Sequence, residues 1–244
     1  MTTPSDQPHN LFKGGMPFLA HLEELRRRLI KVALAVVIMS AVSFYFAEQL
    51  MVAIQIPLGG VPLHNMQVTG AFYAYLKISL ITGVVAALPI IFYQMWCFIA
   101  PGLYAREKAA VLPLIFISTL LFLIGAGFCF MIVLPLALQF LIGFADEMIT
   151  NYITIGSYVS FAGLLLLAFG FGFQMPIVAY FLGKMGFISA AFLSKGRRYA
   201  FIIILVAAAI ITPPDIFTQV LLATPLYVLY EVSIVVVRIV APKK

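Results

Sequence analysis

Six apolar runs divide the chain, at residues 29–47, 71–96, 111–134, 157–182, 199–211 and 216–237, the first two separated by a gap of 23 residues and the last two by a turn of four. No water-soluble fold can cover six such runs, since 64% of the 244 residues are hydrophobic and only 10% are charged. In lipid, only helices and closed barrels satisfy their own backbone groups. Barrel strands alternate between apolar and polar residues, and these runs do not. The expectation is an all-α integral membrane protein with six transmembrane helices.

An even number of crossings puts both termini on one side of the membrane. Assigning the gaps in turn places 14 of the 15 lysines and arginines on that side, leaving only Lys77 near the start of the second run. Basic residues mark the cytoplasmic side, so both termini are expected there. Glu48, Asp146, Glu147 and Asp215 fall on the opposite face. The net charge of +6 is therefore read as orientation in a lipid bilayer, and no nucleic-acid partner is expected. Residues 1–15, polar and punctuated by Pro and Gly, read as a flexible cytoplasmic tail without the apolar core of a cleavable leader. Residues 16–238 form the six-helix transmembrane domain, and residues 239–244 a short cytoplasmic tail.

The last two runs look short. Residues 199–211 number 13, which gives about 20 Å of helix against a hydrocarbon core of about 30 Å. The sixth carries Pro225 and Glu231, which shorten its continuous apolar part, and TPPD at 212–215 holds the pair as a tight hairpin. Such helices either thin the bilayer locally or are sheltered by a partner.

Several function classes find no support. Cys97 and Cys129 belong to opposite ends of neighbouring runs, so a disulfide is not expected, and His9, His21 and His64 have no second ligand at metal spacing. Neither a metal nor a cofactor is indicated. GxSxG, HExxH, the Walker A motif and GxGxxG before a helix are all missing, which leaves an enzyme without recognisable machinery. A secondary transporter would show mirrored halves and ionisable groups converging at the midplane; here the gap lengths do not mirror and the acids lie near the margins.

Charge concentrates in two places on the expected cytoplasmic face. Residues 21–39 read HLEELRRRLIKVALAVVIM, with an apolar stripe of Phe18, Leu22, Leu25 and Leu29 at helical spacing. Glu23 to Arg27 and Glu24 to Arg28 stand at i,i+4 in the favourable order, which accounts for Glu23, Arg27 and Arg28 as helix-supporting, orientation-fixing residues. The second patch, CFIAPGLYAREKAAVLP at 97–113, adds Glu107. Two carboxylates on a cationic surface suit a ligand that presents arginine, because a guanidinium makes bidentate pairs that lysine cannot copy. A solvated charge run neutralising its own neighbours is the other reading of the same residues.

HLEELRRRL resembles the HLxELRxRL signature that opens the TatC family, the multispanning receptor subunits of the twin-arginine protein translocase. The likeness continues through PIIFYQMWCFIAPGLYAREK, LPLIFISTLLFLIGAGFCFMIVLPLAL, AFGFGFQMPIV and ITPPDIFTQVLLATPLYVLYE, from Met16 to the C-terminus. The resemblance implies a receptor for the Arg-Arg signal peptides of folded precursor proteins, in the bacterial cytoplasmic (inner) membrane, with export driven by the proton motive force. It assigns peptide binding to Glu24, Arg26 and Glu107, with Gln94, Phe98, Pro101 and Tyr104 around them. It implies docking of the single-span partners TatA and TatB on the last two helices through Thr212, Asp215 and Gln219, together with self-association. The segment AFGFGFQMPIV departs from the family, which usually has a glutamate where this chain has Gln174. A neutral amide cannot carry a proton, so Gln174 is read as an intramembrane polar residue facing a concave interior, where it holds water and weakens the bilayer.

Overall fold

The computed structural model describes residues 16–99, 111–143, 152–212 and 215–240. These residues are helical almost throughout, as a chain in hydrocarbon must be when its amides and carbonyls have only each other as partners. Helix α1 (Met16–Tyr45) is followed by α2 (Ala47–Ile54), a 3₁₀ turn at Ile56–Leu58, and α3 (Gly70–Ile99). Next come α4 (Val111–Phe128), a π-helical turn at Cys129–Val133, and α5 (Leu134–Ile142). The remainder is α6 (Ile155–Gly172), α7 (Met175–Lys184), α8 (Ala190–Lys195), α9 (Arg197–Ile211) and α10 (Ile216–Val240).

Among the described residues, five stretches are long and apolar enough to cross a membrane: Leu19–Tyr45, Gly70–Ile99, Leu112–Ile142, Ile155–Lys184 and Ile216–Val240. Two of them are continuous in direction but broken in hydrogen bonding. The π turn precedes Pro135, and the break at Phe173 and Gln174 precedes Pro176, because a proline ring crowds the carbonyl four residues back and offers no N–H. Helix α9, at 15 residues, stays short as expected. The expected shortness of the sixth helix does not hold, since α10 runs unbroken for 25 residues. Pro225 is taken into its interior, and Glu231 is neutralised by Arg197 of α9 through bonds of 2.8 and 2.9 Å, so neither residue ends it.

Side-chain contacts fix how the helices run. Arg28 of α1 reaches Gln94 of α3, and Ser40 lies against Gly83, so these two are antiparallel. Lys77 and Ile81 of α3 meet Ser160 and Gly163 of α6, which makes that pair parallel. Gln174 and Gly170 meet Ser118 and Phe122 of α4, in the opposite sense. Leu226 and Val237 of α10 lie over Gly172 and Gly183, parallel to α6 and α7, while Gln219 bonds back to Leu205 and makes α9 antiparallel to α10. The start of α1 and the ends of α3, α7 and α10 therefore share one end of the bundle.

Two apolar clusters fill the interior. The larger gathers Leu134, Val159, Leu165, Phe169 and Leu222, and it extends to the far end through Met51, Ile54 and Leu58. There Tyr158 donates to the Ile54 carbonyl and His64 bridges to Thr154, tying the α2–α3 connection onto α6. The smaller cluster joins Leu88, Phe92 and Trp96 of α3 to Leu114, Phe122, Ile177 and Phe181. It clamps the last turns of α3 against α4 and α7, fixing the face that α3 turns toward α1. By contrast α1 lies along α3 but buries few of its side chains, and Leu22, Leu25 and Leu29 of its apolar stripe point outward, at 46, 40 and 64% exposure.

Candidate functional site

The shared end of α1 and α3 brings three of the sequence-predicted residues together. Arg28 donates from Nε (3.0 Å) and Nη2 (2.5 Å) to the same oxygen of Glu24, Oε1, and from Nη1 to Gln94 Oε1 at 3.3 Å. Both side chains of the pair are about a fifth exposed, at 22 and 23%. One turn earlier, His21 stacks on Phe98 with ring centroids 4.3 Å apart and planes 19° off parallel. Its Nδ1 lies 4.0 Å from Glu24 Oε2. Glu24, Gln94 and Phe98 thus form one cluster, joined by two residues that the sequence reading left in bland roles.

The cluster follows from local spacing. His21, Glu24 and Arg28 fall at i, i+3 and i+7 on one face of α1, and Gln94 and Phe98 fall at i and i+4 on α3. Phe92 and Trp96, 3 and 2% exposed, anchor the opposite side of α3 and so hold Gln94 toward α1. Electrostatically the cluster is a carboxylate with one oxygen taken. Oε1 accepts both Arg28 bonds, whereas among the described residues Oε2 faces only the imidazole of His21. A free carboxylate oxygen beside an aromatic plane accepts an N–H donor from a cation whose stem lies over the ring.

Arg26 is elsewhere. It sits on another face of α1, where Glu23, Arg26, Arg27, Ile30 and Lys31 line a shallow hollow of about 350 Å³. Among the described residues, Glu23 and Arg27 do not form the i,i+4 pair their spacing suggests, while Glu24 and Arg28 do. Pro101, Tyr104 and Glu107 lie outside the described residues. The residues missed by sequence reasoning are Arg28 and His21. Both stood at helical spacing from Glu24, but spacing along α1 cannot say which residues α3 would present to them.

At the other end of the bundle, Thr212, Asp215 and Gln219 cluster where α9 meets α10. The carboxylate of Asp215 caps α10, accepting from the Thr218 amide at 2.7 Å and from its hydroxyl. Thr212 donates to the Ala208 carbonyl at 2.9 Å, and Gln219 donates to that of Leu205 at 3.1 Å. All three therefore serve the hairpin itself. Beside them Ile203, Ile210 and Ile216 are 66, 78 and 80% exposed. Gln174, instead of facing an open concavity, is 8% exposed and donates to the carbonyls of Ser118 (3.0 Å) and Gly170 (3.4 Å). Among the described residues no group of three His, Cys, Asp or Glu side chains is arranged to hold a metal ion.

Comparison with known proteins places this geometry in context. Residues 20–225 match the family model of the Sec-independent protein translocase protein TatC. The Sec-independent protein translocase protein TatC of Aquifex aeolicus is 44% identical over 235 residues, covering 94% of this chain and 98% of its own. That of Desulforapulum autotrophicum is 42% identical over 233 residues, covering 93 and 86%. A crystal structure of the twin-arginine translocase receptor TatC superposes with a TM-score of 0.80 at 45% identity, covering 89% of this chain and 97% of the other.

Proposed function

The chain belongs to the TatC family of Sec-independent protein translocase proteins, and from that footing we propose that it receives the paired arginines of signal peptides at the α1–α3 end of its bundle. It is a membrane translocase subunit and not an enzyme. The observation that carries the proposal is Glu24, a carboxylate whose Oε2 has no hydrogen bond among the described residues, linked through His21 to the ring of Phe98 and through Arg28 to the amide of Gln94. Glu107 is the second acceptor, with Pro101 and Tyr104 shaping the approach, while Arg26 meets the peptide from the neighbouring face of α1. Paired acidic groups hold two guanidiniums where two ammonium groups would gain less.

In this reading the chain crosses the bacterial cytoplasmic membrane six times, with α9 as the short fifth crossing and both termini in the cytoplasm. The common end of α1, α3, α7 and α10 supports that topology, as does the grouping of 14 of 15 basic residues. The outward isoleucines of α9 and α10, with the half-buried Gln219 beside them and the buried Thr212 shaping the turn beneath, form the surface for single-span partners of the TatA and TatB kind. Apolar packing alone gives little preference in lipid, so one interhelical hydrogen bond carries weight there. The proton motive force drives transport, and copies of the chain self-associate.

Photocrosslinkers at positions 107 and 219 are expected to capture a twin-arginine precursor and a single-span partner respectively. Glu24→Gln and Glu107→Gln should each weaken precursor capture while insertion is unchanged. Full capture by both variants overturns the assignment.

A further inference from the structure

We infer that Arg28 is an internal competitor for the peptide's arginine, a guanidinium of the chain itself that occupies Glu24 until the ligand displaces it. The inference rests on the reading of Glu24 as an arginine acceptor and adds a residue that sets how tightly the acceptor holds. Its basis is the asymmetry of the Glu24–Arg28 pair. Two Arg28 donors converge on Oε1, at 3.0 and 2.5 Å, while among the described residues Oε2 has only His21 Nδ1 at 4.0 Å.

A guanidinium arriving from a ligand can touch Oε2 without disturbing this arrangement, through a single bond that a lysine could also make. The fork-on-fork pair, two parallel bonds each to its own oxygen and unlike the one-oxygen grip of Arg28, is the geometry lysine cannot copy, and it needs both oxygens. It therefore forms only when Arg28 lets go of Oε1. The displaced side chain is not stranded, because its Nη1 already reaches the Gln94 carbonyl at 3.3 Å and a fifth of the side chain is exposed. An uncompensated buried charge, which would make the exchange prohibitive, does not arise. Exchange of one guanidinium for another leaves the charge at Glu24 nearly constant, so capture stays weak enough to reverse when cargo must leave.

The competition has a measurable sign. Removing Arg28 frees Oε1, and the gain falls mainly on ligands that use both oxygens. Arg28→Gln should tighten binding of a synthetic Arg-Arg signal peptide to the purified full chain in lipid nanodiscs by about two- to fivefold, the range expected for an ion pair this exposed. The gain should appear mostly as slower dissociation. Arg28→Lys, which keeps the positive charge for membrane insertion but loses the paired donors, should give a smaller gain. A Lys-Lys version of the peptide should gain less than the Arg-Arg peptide in both variants.

Two further measurements separate this exchange from simple charge removal. Arg27→Gln deletes the same charge from a residue that makes no ion pair among the described residues, and it should shift binding less than Arg28→Gln does. In a Glu24→Gln background the effect of Arg28→Gln should vanish, because nothing remains to compete for. Unchanged or weakened binding in both Arg28 variants overturns the inference while leaving Glu24's role intact. If Glu24→Gln itself binds the Arg-Arg peptide as well as the native chain, the underlying reading fails instead.

Discussion

Gln174 shows how the donor of one polar side chain in an apolar span can be taken up by structure. Its amide spans the break between α6 and α7 and bonds to the Ser118 carbonyl of α4, so it pins the kink to the neighbouring helix. Gln174→Leu keeps the volume and loses the donor. It should lower thermal stability in detergent by about 0.5–2 kcal/mol, the size of one buried interhelical bond. A melting temperature equal to the native chain's would show that the bond contributes nothing. The sequence identified Gln174 as an unusual polar residue in a span, yet gave no sign of its partner, because Ser118 is 56 positions away. Arg28 and Glu24 were legible as a pair at i,i+4, whereas the link to Gln94 across 66 positions was not. Local spacing determines which side chains share a helix face, and only packing decides what that face meets.

Among the described helices, α1 packs mainly against α3. A Cβ at Gly83 would lie 2.2 Å from Ser40 Oγ and 2.5 Å from Ser40 Cα, so the two backbones touch there. Gly83→Val must push α1 away from α3. Because Arg28–Gln94 is a 3.3 Å contact farther along the same interface, that displacement should separate them. Cysteines placed at 28 and 94 should lose their crosslinking in the Gly83→Val background, with α6 and α10 still packed as before. Retained crosslinking would show that α1 is held by contacts beyond this crossing. Elements of this length were readable from their apolar runs. Their ends were less so: the pairing of Glu231 with Arg197 is what allows α10 to continue to Val240, and no run of residues within α10 announces that a cation on α9 will be there.

Across the whole molecule, the helices differ in length by more than a bilayer tolerates without adjustment. Helix α9 has 15 residues, or about 22 Å, beside the 25 residues, or about 37 Å, of α10. The start of α9 is held at the level of Glu231, nine residues short of the α10 end, so at that end α9 stops well inside the reach of its partner. Spin labels at positions 197 and 211 should both contact an aqueous relaxation agent while a lipid probe of fixed depth reports a thinner hydrocarbon layer beside α9 than beside α1. Equal thickness at the two positions would show that α9 is sheltered by protein and does not thin the bilayer. Sequence by itself determined the helical class, five of the crossing segments and the clustering of basic charge, because burial in lipid forces every backbone group to pair within its own segment and apolar length is written along the chain. Tertiary structure alone decided that Arg28 and His21 belong to the Glu24 cluster, that Gln174 is turned inward and that α10 runs full length. Each of these depends on a partner from a distant segment, and contact between segments is set by packing in three dimensions.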